Sequence, residues 1–250
     1  VRQREEWARE AVVAFGRGDA ESALAAFAGH GQLVETETNG AALNRIVALR
    51  RGHMQVGAQD QFLIVARTNA QVAAISRAVR NDLREAGQLT GPDVTIRTVT
   101  PSGHETQIEL AVGDRIRFLA RNDALGVVNG TVGTVTKITS IKEEAGEQKS
   151  LRIEAVVDGR RIGFTPNDLA DEKGRARLGW AYATTVYGSQ GMTVDHAVVL
   201  LDPAFDRHAI HVASSRAREA TTLVVDKSAI DMRLAADRPL DRQGDPLVTT

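Results

Sequence analysis

The pattern of apolar residues changes in the middle of this 250-residue chain, and that change limits the folds it can adopt. Phe62 to Ala66 is an unbroken apolar run, typical of a strand buried on both faces of a parallel sheet. The next segment predicts an amphipathic helix with a stripe from Val72 to Ala86, stopped by a left-handed C-cap at Gly87. From Val94 to Phe164 apolar and polar residues alternate, as in Leu151 to Val157, which indicates antiparallel sheet.

The strand and helix rhythm resumes after Leu178. We expect strands at Ala181 to Val186, Ala197 to Leu201 and Thr222 to Val225, with a helix at His208 to Arg218. Alternating strands and helices predict an α/β domain with a parallel sheet. The predicted organisation is a helical segment at 1–35, a discontinuous α/β domain at 36–91 and 178–228, a β-rich insert at 92–177, and a polar tail or linker at 229–250.

Capping and turn residues support several of these boundaries. Asp19 suits the N-cap of a second short helix, and Thr38 or Asn39 suits the N-cap of a third. The pairs Asn129-Gly130 and Asp158-Gly159 predict hairpins with type I′ turns, which need positive φ at both central residues.

Composition excludes several classes of protein. There is no cysteine, so disulfides and thiolate metal sites are ruled out. His208 and His211 lie one helical turn apart but lack the context of a zinc motif, so we predict no metal site. No apolar stretch reaches the roughly 18 residues of a membrane span, so we expect a soluble, cytoplasmic protein without a membrane partner. The formal net charge is −1, and any nucleic-acid binding must therefore be local.

Two short segments are candidates for chemistry. Thr185 to Gly191 places two glycines and several hydrogen-bonding side chains after a predicted strand, where ligands bind in open α/β sheets. Ser214 to Glu219 carries two arginines, whose forked guanidinium groups suit phosphate recognition. Taken singly, the first fits an ordinary turn and the second a solvated helix end. Their order and spacing together favour a functional site.

The same segments resemble a known family. Tyr182 to Gly191 and Val212 to Glu219 are similar to motifs V and VI of superfamily 1 helicases, above all RecD-like enzymes and the helicase part of conjugative relaxases of the TraA and TrwC (MobF) type. Phe62 to Asn69 and Arg2 to Trp7 also resemble those relaxases. The resemblance implies a RecA-like domain 2A, of the P-loop NTPase type, carrying a 2B insert with an SH3-like β barrel.

The resemblance also implies roles for individual residues. Arg216 matches the motif VI arginine that reaches the γ-phosphate, which makes it the predicted catalytic residue. The residues implied in nucleotide binding are Arg2, Gln3, Gly191, Arg216 and Arg218, and those implied in DNA binding by the motif V loop are Thr185, Tyr187, Ser189 and Gln190. The loop departs from the family at Tyr187, where histidine is usual, and at Thr193, where an acidic residue is frequent.

The insert offers a second DNA-binding candidate. Arg115, Arg117, Arg121 and Lys137 could form a shallow basic groove for a nucleic-acid backbone. The alternative, that they are outward-facing charges on a small barrel, fits the sequence equally well.

The chain contains no G-x-x-x-x-G-K-[ST] phosphate loop. The resemblance therefore implies the carboxyl-terminal half of a helicase that uses ATP and Mg²⁺ in its intact form, with a preceding RecA-like domain as partner and no tight ATP binding by this chain alone. The implied activity is translocation on single-stranded DNA, 5′ to 3′, within a conjugative relaxase. The alternatives are a RecD-like exonuclease V α subunit and a non-catalytic RecA-like scaffold.

Overall fold

The structure is a computed structural model that describes residues 3–54, 61–100, 102–142 and 149–238. The helices in these ranges are α1 (Glu6–Arg17), α2 (Ala20–Gly29), α3 (Asn39–Met54), α4 (Asn69–Glu85), α5 (Arg207–Ser214) and α6 (Lys227–Ala236). The strands are β1 (Leu33–Thr36), β2 (Phe62–Ala66), β3 (Thr90–Val99), β4 (Glu105–Val112), β5 (Arg115–Phe118), β6 (Val132–Lys142), β7 (Lys149–Val157), β8 (Arg160–Phe164), β9 (Leu178–Trp180), β10 (Thr184–Thr185), β11 (Val194–Leu201) and β12 (Ala217–Asp226).

The chain divides into two compact units. The first, which we call the α/β unit, comprises the chain up to Ala78 and from Ala183 onward. The second, the β unit, is Val79–Tyr182. This division places the limits of the inserted unit outside the expected 92 and 177, because it includes the last part of α4 and all of β9.

The α/β unit is built on a parallel sheet with strand order β1-β12-β11-β2-β10. The predicted strand at Phe62 to Ala66 is β2, whose last four residues are buried. The amino-terminal helices pack on this sheet, since Phe15 and Phe27 share a core cluster with Leu63 and Val199. The α/β fold with a parallel sheet is confirmed.

Helix ends in the α/β unit follow the expected chemistry. The Asp19 side chain accepts a hydrogen bond from the Ser22 amide at 3.1 Å and caps α2. Thr38 Oγ1 accepts one from the Ala41 amide at 3.2 Å at the start of α3. Gly87 has a φ of 69° just after α4, so the predicted left-handed stop is confirmed.

The β unit is antiparallel, as the alternating pattern predicts. Its five-stranded sheet has the order β8-β7-β6-β5-β9, and β3 and β4 form a separate hairpin. Ile153, Ala155 and Val157 of β7 point into its core. The β7–β8 turn has φ values of 48° at Asp158 and 74° at Gly159, both positive as a type I′ turn requires.

Two predicted elements of the α/β unit differ from the structure. The expected strand at 181–186 is reduced to β10, because the Ala181 amide donates to the Arg115 carbonyl of the β unit at 2.9 Å. The expected helix at 208–218 stops at Ser214, and β12 begins at Ala217 rather than Thr222. The hydroxyls of Ser214 and Ser215 donate back to the Ile210 and Val212 carbonyls, the local competition that ends helices at such residues.

Two further predictions were wrong in part. Among the described residues Asp158 is the only non-glycine with positive φ, so Asn129 does not form the expected type I′ turn, although Gly130 has a φ of 93°. Residues 229–236 are not a linker, because they belong to α6; residues 239–250 of the expected tail lie outside the described residues. No described helix is long and apolar enough to cross a membrane.

Candidate functional site

The loop after β10 is anchored to the end of β2. Thr184 and Thr185 pair with Val65 and Ala66, and the Val186 amide donates to the Ala66 carbonyl at 3.1 Å. The chain then makes a single 3-10 turn over Tyr187–Ser189. The first residue of the loop, Thr185, therefore stands at the carboxyl end of the parallel sheet.

Hydrogen bonds within the loop fix its shape. The Gly188 amide donates to Thr185 Oγ1 at 3.1 Å, and the Ser189 hydroxyl donates to the Val186 carbonyl at 2.7 Å. The Gln190 amide donates to the Tyr187 carbonyl at 3.1 Å. Ser189 is fully buried, so in this structure its hydroxyl shapes the loop and does not reach the surface.

Other loop residues face solvent. Tyr187 is 82% exposed, and Gln190 and Gly191 are also exposed. Gly191 has a φ of 83°, and a Cβ at this position would meet nothing within 4 Å. The solvent-facing groups predicted to bind DNA or nucleotide are thus Tyr187, Gln190 and Gly191.

Arg216 lies in the short turn between α5 and β12. Its Nε donates to the Val212 carbonyl at 2.8 Å, and its Nη2 donates to Ser215 Oγ at 2.8 Å. The side chain is therefore oriented by the last turn of α5, where backbone carbonyls carry partial negative charge. It is partly exposed.

Gln3 lies against the same helix end. Its Nε2 donates to the Ser214 carbonyl at 3.1 Å, and its side chain is only 6% exposed. Its Oε1 is buried and has no hydrogen-bond partner in the described part of the chain. Arg2, its predicted companion, lies outside the described residues. The structure thus brings Gln3 and the Arg216 turn together.

Arg218, the second arginine of the motif, lies in β12. Its Nη1 is 2.5 Å from Asp195 Oδ1, an ion pair between neighbouring strands. Glu219, the last residue of the motif, forms an ion pair with Arg4. The Arg4 amide also donates to the Arg218 carbonyl at 2.8 Å, so the amino-terminal segment runs beside the start of β12.

The two motifs stand at opposite ends of the parallel strands. Thr185 is level with Ala66, the last residue of β2, whereas His196 is level with Phe62, the first. The segment between them returns along the sheet, and the Val194 amide donates to the Arg216 carbonyl at 3.1 Å. Eight residues of continuous backbone therefore connect the exposed loop to the turn that carries Arg216.

Three of the basic residues predicted in the insert share one face of its five-stranded sheet. Arg115 and Arg117 alternate with Ile116 and Phe118, which are fully buried on the opposite face. Lys137 is on the same face as the two arginines. Arg115 pairs with Thr134, which pairs with Val156, so these three residues share a face. Lys137 pairs with Glu154, which lies two residues before Val156 and therefore faces the same side. Burial, and next the charge of Arg115, lower the pKa of the Arg117 guanidinium.

Sequence reasoning missed two members of this face. Arg152 alternates with Glu154, and Arg161 pairs with Val156, so both lie on the side of Lys137, and both are exposed. The register set by the Asp158-Gly159 turn could have revealed them, since pairing counted outward from a two-residue turn places Arg161 opposite Val156.

Arg67 was also missed. It is exposed and directly follows Ala66, whose carbonyl anchors the loop. The signal was present in the sequence, because a residue that follows a buried parallel strand lies at the ligand-binding end of the sheet. Among the described residues, no group of three histidine, aspartate or glutamate side chains is placed to hold a metal ion.

Comparison with curated proteins places these motifs in a family context. The chain is 32% identical over 219 residues to the conjugal transfer protein TraA of Agrobacterium fabrum, a match covering 87% of this chain and 18% of TraA. The resemblance to the TraA proteins is confirmed. A TraA of Rhizobium radiobacter is 31% identical over 220 residues, again covering 18% of the relative, so the chain spans about a fifth of these relatives. No protein-family model matches the chain.

Helicases named Pif1 are similar as well. The ATP-dependent DNA helicase Pif1 of Bdellovibrio bacteriovorus is 27% identical over 153 residues, covering 56% of this chain and 35% of that protein. A Pif1 helicase from a structural study of DNA unwinding at forked double-stranded DNA matches 94% of this chain and 53% of its own, with a TM-score of 0.54 and 17% identity. The Bacteroides Pif1 bound to ADP-AlF3 and single-stranded DNA gives a TM-score of 0.53 and 18% identity over 94% of this chain and 55% of its own. These structures share the fold of the chain.

Proposed function

We propose that the chain is the carboxyl-terminal part of an ATP-dependent motor that moves along single-stranded DNA in conjugative transfer. The catalytic residue is Arg216, which reaches the γ-phosphate of ATP held with Mg²⁺ by a preceding RecA-like domain. The similarity to TraA supports the context, and the fold shared with Pif1 supports the motor. The observation that carries the proposal is the orientation of Arg216 by the end of α5.

The surroundings of Arg216 fit a phosphate group. The hydrogen bonds to the Val212 carbonyl and the Ser215 hydroxyl orient the guanidinium at the end of α5. A guanidinium offers five donors, and a fixed one is worth most where negative charge develops during phosphoryl transfer. Gln3, buried beside Ser214, holds the turn in place from the other side.

The segment between β10 and β11 supports coupling of the two ends of the sheet. In this proposal the residues that face DNA are Thr185, Tyr187 and Gln190. Those that face nucleotide are Gly191 and the turn that carries Arg216. Because Val194 is hydrogen-bonded to Arg216, a shift of that turn on nucleotide binding is transmitted along eight residues to the loop. The implied direction of movement is 5′ to 3′.

The test uses the full-length protein with Arg216→Ala and Arg216→Lys. We expect DNA-stimulated ATP turnover to fall at least about a hundredfold in the alanine variant, roughly 2.7 kcal/mol of barrier, with a far smaller change in nucleotide affinity. The lysine variant should also fail, since it keeps the charge but loses the planar fork.

Arg233→Ala is the matched control, because Arg233 is an exposed arginine of the same unit that pairs with Asp237 on α6. Near-normal turnover in Arg216→Ala would remove the catalytic assignment and favour a non-catalytic scaffold. The similarity to TraA favours a relaxase over a RecD-like exonuclease subunit.

We propose a second binding surface on the β unit. In this proposal the β unit is the insert that carries an SH3-like barrel. The face that bears Arg115, Arg117 and Lys137 also bears exposed Arg152 and Arg161. Glu154, beside Lys137 at 3.9 Å, is an acidic residue on this face. Such an excess of cations suits the phosphates of single-stranded DNA.

Replacing the exposed members of this face, Lys137, Arg152 and Arg161, by glutamate should abolish binding of single-stranded DNA at low salt and flatten its dependence on salt. Arg121, also predicted for the groove, pairs with Asp123 in the loop after β5. Arg97, which is exposed but pairs with Glu105 across the β3–β4 hairpin, provides a charge-reversal control. Unchanged binding by the triple variant in a fluorescence anisotropy titration would exclude this face from the DNA path.

A further inference from the structure

Tyr187 is the most exposed large side chain in a loop that is otherwise tightly held. Its ring is 82% exposed, while Ser189, two residues away, is fully buried. Hydrogen bonds from Gly188 to Thr185 and from Gln190 to Tyr187 itself fix the backbone on both sides of the ring. The ring is therefore presented to solvent by a rigid backbone, so little backbone ordering is needed when it binds a partner.

A single exposed aromatic residue is common on protein surfaces, so its neighbours decide its meaning. The Val186 amide is bonded to the Ala66 carbonyl, which places exposed Arg67 one residue beyond the anchor of the loop. On the other side of Tyr187, Gly191 opens onto space in which a Cβ would meet nothing within 4 Å. The backbone thus places Arg67 beside the start of the loop that carries Tyr187.

The same end of the sheet carries a further exposed cation. Helix α5 begins here with exposed Arg207, beside Asp206, whose carboxylate accepts a hydrogen bond from the Ala209 amide at 2.7 Å. Arg67, directly after β2, lies at this end of the parallel sheet as well. Exposed cations next to an exposed aromatic ring are the combination that holds unpaired nucleotides.

Tyr187 also stands where histidine is usual in the resembling family, which changes the kind of contact available. A phenol ring offers a broad flat face and a hydroxyl but no positive charge at neutral pH, so it does not neutralise a phosphate as a protonated imidazole does. Stacking uses the ring face and is available with every base.

We infer that Tyr187 stacks on an unpaired base of single-stranded DNA while Arg67 contacts a neighbouring phosphate. This contact rests on the proposed function, because it specifies how the loop after β10 grips the strand. Stacking releases no counterions, so the part of the DNA affinity that Tyr187 contributes should not depend on salt concentration. The part that Arg67 contributes should fall as the salt concentration rises.

The experiment measures affinity for a fluorescent oligothymidine and for an oligonucleotide of the same length that carries abasic sites, over a range of salt. Tyr187→Ala should weaken oligothymidine binding at least about fivefold, the low end of the effect of one base–aromatic stack. It should leave the salt dependence unchanged and have no further effect on the abasic strand. Tyr187→Phe should bind like the parent protein, because the ring is retained.

Arg67→Ala should show the opposite signature, with a shallower salt dependence and equal losses on both strands. Met232→Ala is the matched control, since Met232 is 71% exposed on α6 of the same unit. Equal affinity of Tyr187→Ala and the parent protein for oligothymidine would overturn the stacking contact alone. Failure of the parent protein to bind either strand would overturn both this contact and the proposed DNA binding.

Discussion

Arg80 in the β unit and Arg216 in the α/β unit are held in opposite ways. Arg80 is 4% exposed and forms ion pairs with Asp93, Glu109 and Asp114. Arg216 is partly exposed and donates to a helix carbonyl and a serine hydroxyl. The first arrangement neutralises a buried charge, and the second orients a charge near the surface. The Arg80 side chain is thus buried among carboxylates, whereas the Arg216 side chain is partly exposed and oriented by the end of a helix.

The cluster around Arg80 joins the two ends of the inserted segment. Asp114 is fully buried; it accepts hydrogen bonds from Arg80 Nε at 3.1 Å, from the Tyr182 hydroxyl at 2.7 Å and from the Ala111 amide at 2.7 Å. Arg80 is near the first residue of the β unit and Tyr182 is its last. Burial acts to lower the pKa of Arg80, but its bonds and charge interactions with Asp93 and Asp114 raise it.

The largest expected effect follows from this cluster. Arg80→Ala leaves Asp114 buried without its cation, so we expect the free energy of unfolding of the β unit to fall by about 3 to 5 kcal/mol. Urea unfolding in a Trp7→Phe background isolates the signal of Trp180, which lies in the β unit with Arg80 6.0 Å from its ring centroid. Arg216→Ala should lower the stability of its own unit by less than Arg80→Ala does, because the Arg216 side chain is partly exposed.

Arg97→Ala provides the control for the loss of an ion pair. Arg97 pairs with Glu105 across the β3–β4 hairpin with both side chains about half exposed, so the cost should be under about 1 kcal/mol. The comparison between Arg80 and Arg216 would be wrong if Arg80→Ala lowered the free energy of unfolding as little as Arg97→Ala does. It would also be wrong if Arg216→Ala lowered it as much as Arg80→Ala does.

The sequence predicted the sheets better than the ends of helices. Apolar runs such as Phe62 to Ala66 and the alternation in β7 report burial directly, because each strand residue faces one side of a sheet. The end of α5 was placed four residues too late, since Val212 to Glu219 contains no glycine or proline to mark a stop. At the stop, the hydroxyl groups of Ser214 and Ser215 bond to carbonyls of the same helix, a local competition that apolar periodicity does not report.

The candidate site was predicted as a set of residues, without its layout. Motif likeness picked out Arg216 and the loop around Tyr187, but only the strand register places them at opposite ends of the sheet. The burial of Ser189 was likewise unpredictable, because nothing in Gly188-Ser189-Gln190 says which side chain turns inward. Buried Asp114 and Arg80 are 34 residues apart in sequence and belong to no motif, so their pairing required the fold.

The smallest expected effect concerns a titratable contact in the α/β unit, which extends the comparison to pH. His53, near the end of α3, has its ring 3.8 Å from that of His196 and 5.0 Å from that of Phe62. Burial and then the neighbouring His196 lower the pKa of His53 from its usual 6.5, against an opposing pull from Asp195. Whereas Asp93 and Asp114 favour the charged form of Arg80, burial and His196 disfavour the charged form of His53.

The sign of the pH effect follows from this lowered pKa. Below pH 6.5 the unfolded chain binds a proton at His53 more readily than the folded chain does. The contribution of His53 to the free energy of unfolding is therefore complete above that pH and is lost as the pH falls through the pKa of the folded state. We expect His53→Gln to lose less stability than the parent protein between about pH 7 and pH 5. Urea midpoints followed by Trp7 fluorescence in a Trp180→Phe background measure this difference in the α/β unit.

His211→Gln, which removes a histidine of the same unit bonded to the Val12 carbonyl, controls for the loss of any one imidazole. A pH dependence in His53→Gln as steep as that of the parent protein would show that His53 does not contribute to the acid sensitivity of this unit.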